Sequence, residues 1–86
     1  MRVKVETIGE GLHPNEAVVR VQTVSGPENL VVDKRAIQSG SIAIGMPLQR
    51  NENSVLVELP REAMSGRWRV WVSSDALAPE KEKIPA

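Results

Sequence analysis

Eighty-six residues suit one domain with a core of its own, and the absence of cysteine excludes disulfides, thiolate metal sites and a cysteine nucleophile. Eleven basic side chains balance eleven acidic ones, so net charge gives no reason to expect nucleic acid or an anionic membrane as an obligatory partner. Valine and isoleucine are abundant while phenylalanine and tyrosine are absent, which predicts a β-branched aliphatic core with the two tryptophans as its large aromatic anchors.

Met1 to Ile8 alternates strictly, with Val3, Val5 and Thr7 on one face and Arg2, Lys4 and Glu6 on the other, and reads as a half-buried strand. The same alternation lacks the continuous apolar stretch of a signal peptide, and no run approaches the roughly 20 residues of a membrane span. A cytoplasmic protein is the expectation. Gly9, Gly11, Pro14 and Asn15 then mark a loop anchored by Leu12.

Strands are expected over Glu16–Val24 and Asn29–Asp33, joined by Ser25-Gly26-Pro27-Glu28. A four-residue loop there sets Val21 opposite Val32, Thr23 opposite Leu30 and Arg20 opposite Asp33. Lys34 to Gly40 breaks the alternation and suits one helical turn ended by Gly40. Ser41 to Ile44 is a short strand with Ile42 and Ile44 on one face, and Pro47 belongs at a strand start, edge or bulge because it cannot donate to a ladder. The turn Asn51-Glu52-Asn53-Ser54 brings Leu48 opposite Val57 and Met46 opposite Leu59, adding both to the core face.

The centre of the pattern is Ser54 to Val72. One register aligns Leu59 with Trp68, Val57 with Val70 and Val55 with Val72 on a core face, and Glu58 with Arg69 and Leu56 with Trp71 on the other. A slip of one residue would bury Glu58 and Arg69, so the register is well specified. Between these strands, Glu62-Ala63-Met64 favours a single helical turn with Met64 folded back on the core. Ser73 to Leu77 offers an N-cap and a short turn in which Leu77 plugs an open end. The charged residues 79–86 are expected to form a flexible tail after a single β domain over 1–78.

About five or six short strands without a long helix predict an all-β fold, a small antiparallel barrel or a two-sheet sandwich. The last strand, turn and tail resemble the end of SH3-like barrels in outline, an analogy of fold that carries no function. The stretch VVDKRAIQSGSIAI has a passing resemblance to the PilZ domain, which binds cyclic dinucleotides through RxxxR and DxSxxG elements. Counting from Asp33, Arg35 stands at the serine position and Gln38 at the glycine position, so no residue is carried over.

No catalytic constellation is found, and a non-enzymatic protein without a cofactor is expected. His13 is the only histidine and lies in a Gly/Pro loop; the serines sit at turns and caps; Gly40 to Gly45 spans a strand rather than a phosphate loop. The candidate binding surface is the outer face of the central hairpin, Leu56, Trp71, Arg67 and Arg69, with Arg61 in the adjacent loop. A tryptophan among arginines suits a protein interface and also suits stacking on a base with guanidiniums at phosphate. The competing structural reading has Leu56 and Trp71 roofed by the N-terminal strand or by Leu77 and Ile84. A protein-interaction module is therefore expected, its partner another protein or a second copy of itself. The alternatives are a small nucleic-acid-binding barrel and a structural accessory subunit of an oligomer.

Overall fold

The computed structural model describes residues 1–78; the expected tail at 79–86 lies outside the described residues. The fold is all-β, with strands β1 (Arg2–Lys4), β2 (Glu6–Glu10), β3 (Glu16–Thr23), β4 (Gly26–Asp33), β5 (Ser41–Ala43), β6 (Gln49–Arg50), β7 (Ser54–Glu58), β8 (Arg69–Ser73) and β9 (Leu77–Ala78). They form three antiparallel sheets, β5-β1-β9, β2-β3-β4 and β6-β7-β8, rather than one continuous closed ladder. Each sheet sends alternate side chains into one core. Val3 and Ile42 come from the first sheet, Val19, Val21, Leu30 and Val32 from the second, and Val55, Val57, Val70 and Val72 from the third. No helix among the described residues is long and apolar enough to cross a membrane.

The central hairpin has the expected register, Val55 opposite Val72, Leu56 opposite Trp71, Val57 opposite Val70 and Glu58 opposite Arg69. The β6–β7 pairing also follows expectation, with Gln49 opposite Leu56 and Asn51 N–H donating to Ser54 O at 2.8 Å. Leu48 and Met46 nevertheless do not join the core: both are exposed, although Leu48 N–H still donates to Leu56 O at 2.8 Å beside the two-residue β6.

The N-terminal strand is not continuous. Val5 donates its N–H to Gly40 O at 2.9 Å, extending the β1–β5 register by one residue, and from Glu6 the chain enters β2, which pairs with β3. Val3 is buried, Val5 partly buried and Thr7 exposed. Strand β2 runs on through Gly9 to Glu10, with an irregularity between Thr7 and Gly9. Beyond it the hairpin closes tightly at Gly11, where a Cβ would lie 2.6 Å from Glu16 Cβ, so any side chain there forces the strands apart.

In the β3–β4 hairpin the expected faces are right and the register is not. Val19 lies opposite Leu30, Arg20 opposite Asn29 and Val21 opposite Glu28. Val24-Ser25 is the actual turn. Thr23 Oγ1 accepts from Ser25 N–H at 3.1 Å and donates to Gly26 O at 2.6 Å, which pins the shorter loop and draws Gly26 and Pro27 into the strand. Pro27 is tolerated because β4 is an edge strand. Arg20 consequently meets Glu6 at 3.3 Å instead of Asp33. Asp33 caps a 3-10 turn over Lys34–Ala36, accepting from Arg35 N–H at 2.8 Å and from its guanidinium at 3.1 and 3.2 Å. These side-chain and then backbone hydrogen bonds hold the Asp33 carboxyl below its ordinary pKa. The cap is complete at neutral pH and is lost as pH falls through the lowered value.

Gly40 does not end that helical turn. It follows Ser39 in a two-residue hairpin turn closed by Gln38 and Ser41, and φ is +53° at Ser39 and +73° at Gly40, the pattern of a type I′ turn. Ser41, buried at the start of β5, accepts from Arg2 Nε at 2.8 Å and donates to Gln38 O at 2.9 Å, while Arg2 also donates to Ser41 O at 2.8 Å. Ser41→Ala removes the acceptor of Arg2 Nε and one of two donors to the Gln38 carbonyl, which keeps Ser41 N–H at 3.1 Å, and a destabilisation of about 0.5–1.5 kcal/mol is expected in a urea melt. An unchanged midpoint would show that water replaces the hydroxyl. At the far end, Ser73 caps a 3-10 turn over Ser74–Ala76, and Leu77 packs against the core from a strand, β9, that pairs with β1.

Candidate functional site

On the outer face of the third sheet, the ladder sets Gln49, Leu56 and Trp71 in one row and Glu58 beside Arg69, whose charges lie 3.7 Å apart. Leu56 and Trp71 are half-buried. Trp71 O accepts from Val24 N–H at 2.8 Å, so the β3–β4 turn closes part of the free edge of β8. Arg69, Arg67 and Arg61 are exposed. Arg67 pairs with Glu28 at 3.8 Å, and the same carboxylate accepts from Ser65 Oγ at 2.6 Å.

Trp68 departs from expectation. The register does extend to it, since Leu59 N–H donates to Trp68 O at 2.7 Å, but β8 begins only at Arg69 and Trp68 remains 49% exposed. Ala63 closes this end of the core instead and is buried. Two backbone hydrogen bonds hold it there, Ala63 N–H to Arg67 O at 2.9 Å and Gly66 N–H to Ala63 O at 2.8 Å. The expected helical turn is absent, and Met64 points away from the core at 63% exposure. The more exposed tryptophan is thus Trp68 and the more sheltered one Trp71.

The loop between β7 and β8 builds a site that the hairpin alone does not contain. Met64 N–H donates to Asn29 O at 2.8 Å, docking the loop on the free edge of β4. Asn29 Oδ1 is buried there without a hydrogen-bond partner among the described residues, a cost of about 1–3 kcal/mol. Since Leu30 and Val32 point inward, Val31 points outward toward the docked loop. Val31, Pro60, Arg61, Glu62, Met64 and Trp68 line an open cleft of about 360 Å³. Of the expected site residues only Arg61 belongs to it; Leu56, Trp71, Arg67 and Arg69 do not line it. Arg61 has no ion pair among the described residues, although its charge adds to the field that lowers the Asp33 pKa after the Arg35 hydrogen bonds. Glu62 likewise has no ion pair among the described residues. A second concavity of about 340 Å³ lies between Lys4, Val24 and Asp75.

The arrangement suits docking. An aromatic ring, a flexible thioether and a proline form apolar walls, and two opposite charges also line the cleft. Among the described residues, no group of three or more histidine, aspartate or glutamate side chains could hold a metal ion. His13 is exposed in the β2–β3 connection, and its carbonyl accepts from Glu16 N–H at 3.0 Å. In comparisons with known proteins, no family model, no curated protein and no solved structure matches this chain.

Proposed function

We propose that this domain is a non-enzymatic protein-interaction module of the cytoplasm that receives a partner's side chain in the Trp68 cleft. One observation carries the reading: Trp68 stands 49% exposed with Met64 at 63%, in a cleft that Arg61 and Glu62 also line. A large aromatic left in water while the rest of its hairpin's core face, Val55, Val57, Leu59, Val70 and Val72, is buried is a natural anchor, and tryptophan, methionine and arginine are the types enriched at interfaces. Leu56, Trp71, Arg67 and Arg69 supply flanking contacts on the same hairpin. The three short sheets around one core suggest an incompletely closed small barrel of the SH3-like kind, an architecture that leaves the partner to be defined by its surface.

The test is selection of peptides from a random library against the immobilised domain, with binding followed by tryptophan fluorescence. Trp68→Ala is expected to weaken selected peptides about 30-fold or more, the effect of losing an anchor worth about 2 kcal/mol. Its circular dichroism should stay native. Equal binding by the variant would remove the cleft from the mechanism. Oligonucleotide binding that falls steeply with salt and is lost with Trp68 would instead identify a nucleic-acid surface.

A further inference from the structure

We propose that the open edge of β4 in the Trp68 cleft takes up an extended peptide segment of a partner protein as an added strand. The inference rests on the cleft being a protein-docking surface and names what docks there. Strand β4 pairs on one side only, with β3. Asn29 O accepts from Met64 N–H, and Pro27 has no N–H to give, so the odd-numbered residues of β4 turn their main-chain polar groups away from β3. Val31 has the same parity, and its N–H and C=O both point out of the ladder. Neither has a partner among the described residues.

The chain's own loop already makes one rung on this edge, at Asn29, and Val31 is the next position along it, lining the cleft with Pro60, Met64 and Trp68. Other strand edges are short or blunted. Strand β2 carries an irregularity between Thr7 and Gly9 and a glutamate at each end, β6 and β9 have two residues each, and Val24 N–H closes on Trp71 O in β8. The occupant follows from the shape of the opening. A folded domain or a second copy offering a strand would press the rest of its sheet against the loop over 60–64, which already sits on this edge. A lone extended segment has no such bulk. Its residue opposite Val31 donates its N–H to Val31 O, accepts from Val31 N–H, and turns its side chain to the face that Val31 shares with Trp68 and Met64. Those neighbours select an apolar side chain there. An opening of about 360 Å³ suits a short segment rather than a long one.

The probe is an end-capped peptide from the selection described above, and the readout is amide hydrogen exchange of the full chain with and without it. The Val31 amide is expected to exchange at least about tenfold more slowly in the complex. Methylating the peptide nitrogen that donates to Val31 O should weaken binding at least about tenfold, whereas methylating the next nitrogen should cost less than about threefold. Val31→Pro should also weaken binding at least about tenfold, because it removes the outward donor. Pro27 shows that this strand accepts proline at that parity. Circular dichroism checks that the variant folds; if it does not, exchange and peptide methylation decide. Trp68-dependent binding with an unprotected Val31 amide, or with methylation tolerated at every nitrogen, would overturn the added strand and leave the docking reading intact. Val31 protection that rises with protein concentration in the absence of peptide would overturn it as well, by placing a second copy on the edge. Failure to select any Trp68-dependent peptide would remove both.

Discussion

Leu30→Ala is expected to lower the unfolding free energy by about 3–5 kcal/mol, while Trp68→Ala costs only about 1 kcal/mol despite removing a much larger side chain. Leu30 is fully buried on β4, opposite Val19, within the cluster that joins all three sheets. Truncation there leaves a cavity with few routes to collapse, because its walls are short strands paired on both sides or held by turns. Trp68 has half its surface in water already and gives up correspondingly less. For a chain of this length each kcal/mol moves the thermal midpoint by roughly 4–8 °C, so the two variants should separate clearly in parallel melts. Equal losses would mean that Trp68 is a core residue and that the cleft is not a stable opening.

A second large effect is expected at adjacent positions in the loop. Ala63→Asp places a carboxylate at a position buried within the apolar core cluster. The expected cost is about 3–5 kcal/mol, the range for a buried charge without a partner. Met64→Asp, one residue on and exposed, should change stability by no more than about 0.5 kcal/mol. The backbone hydrogen bonds of Ala63 to Arg67 and Gly66 tie its burial to the cleft, so a loop expelled by the substitution should also shift the Trp68 fluorescence to longer wavelength. Matching urea midpoints for the two variants would show that the loop is not anchored through Ala63.

What was legible in the sequence follows from what alternation encodes. In β7 and β8 the apolar residues and the opposite charges agree on one pairing, and that pairing is the one observed. In β3 and β4 the same reasoning identifies the buried sides, Val19, Val21, Leu30 and Val32, but a shift by an even number of residues leaves every side chain on its face. Alternation therefore does not distinguish the four-residue loop from the Val24-Ser25 turn; the Thr23 hydroxyl does. Trp68 shows the complementary limit. Its position in the pattern predicts a side of the sheet, yet burial also needs a cover, and here Ala63 closes the core while Trp68 stays outside. The cleft itself arises when Met64 reaches Asn29 in a different sheet, a contact between remote segments that no local periodicity records.

The central place of β1 bears on how the chain assembles. Val3 pairs with Ile42 on one side and Leu77 on the other, so β1 completes its ladder only when a segment more than seventy residues further along the chain has joined it. Such sequence-distant closure requires the intervening chain to be ordered before the contacts that reward it form, which slows folding. Refolding by stopped-flow fluorescence is expected to fall in the millisecond-to-second range of small β proteins, and microsecond folding would contradict it. Until β9 arrives, the side of β1 that receives it is an open strand edge, and the charges that alternate with its valines, Arg2 and Lys4, give that edge a means of resisting association with other chains.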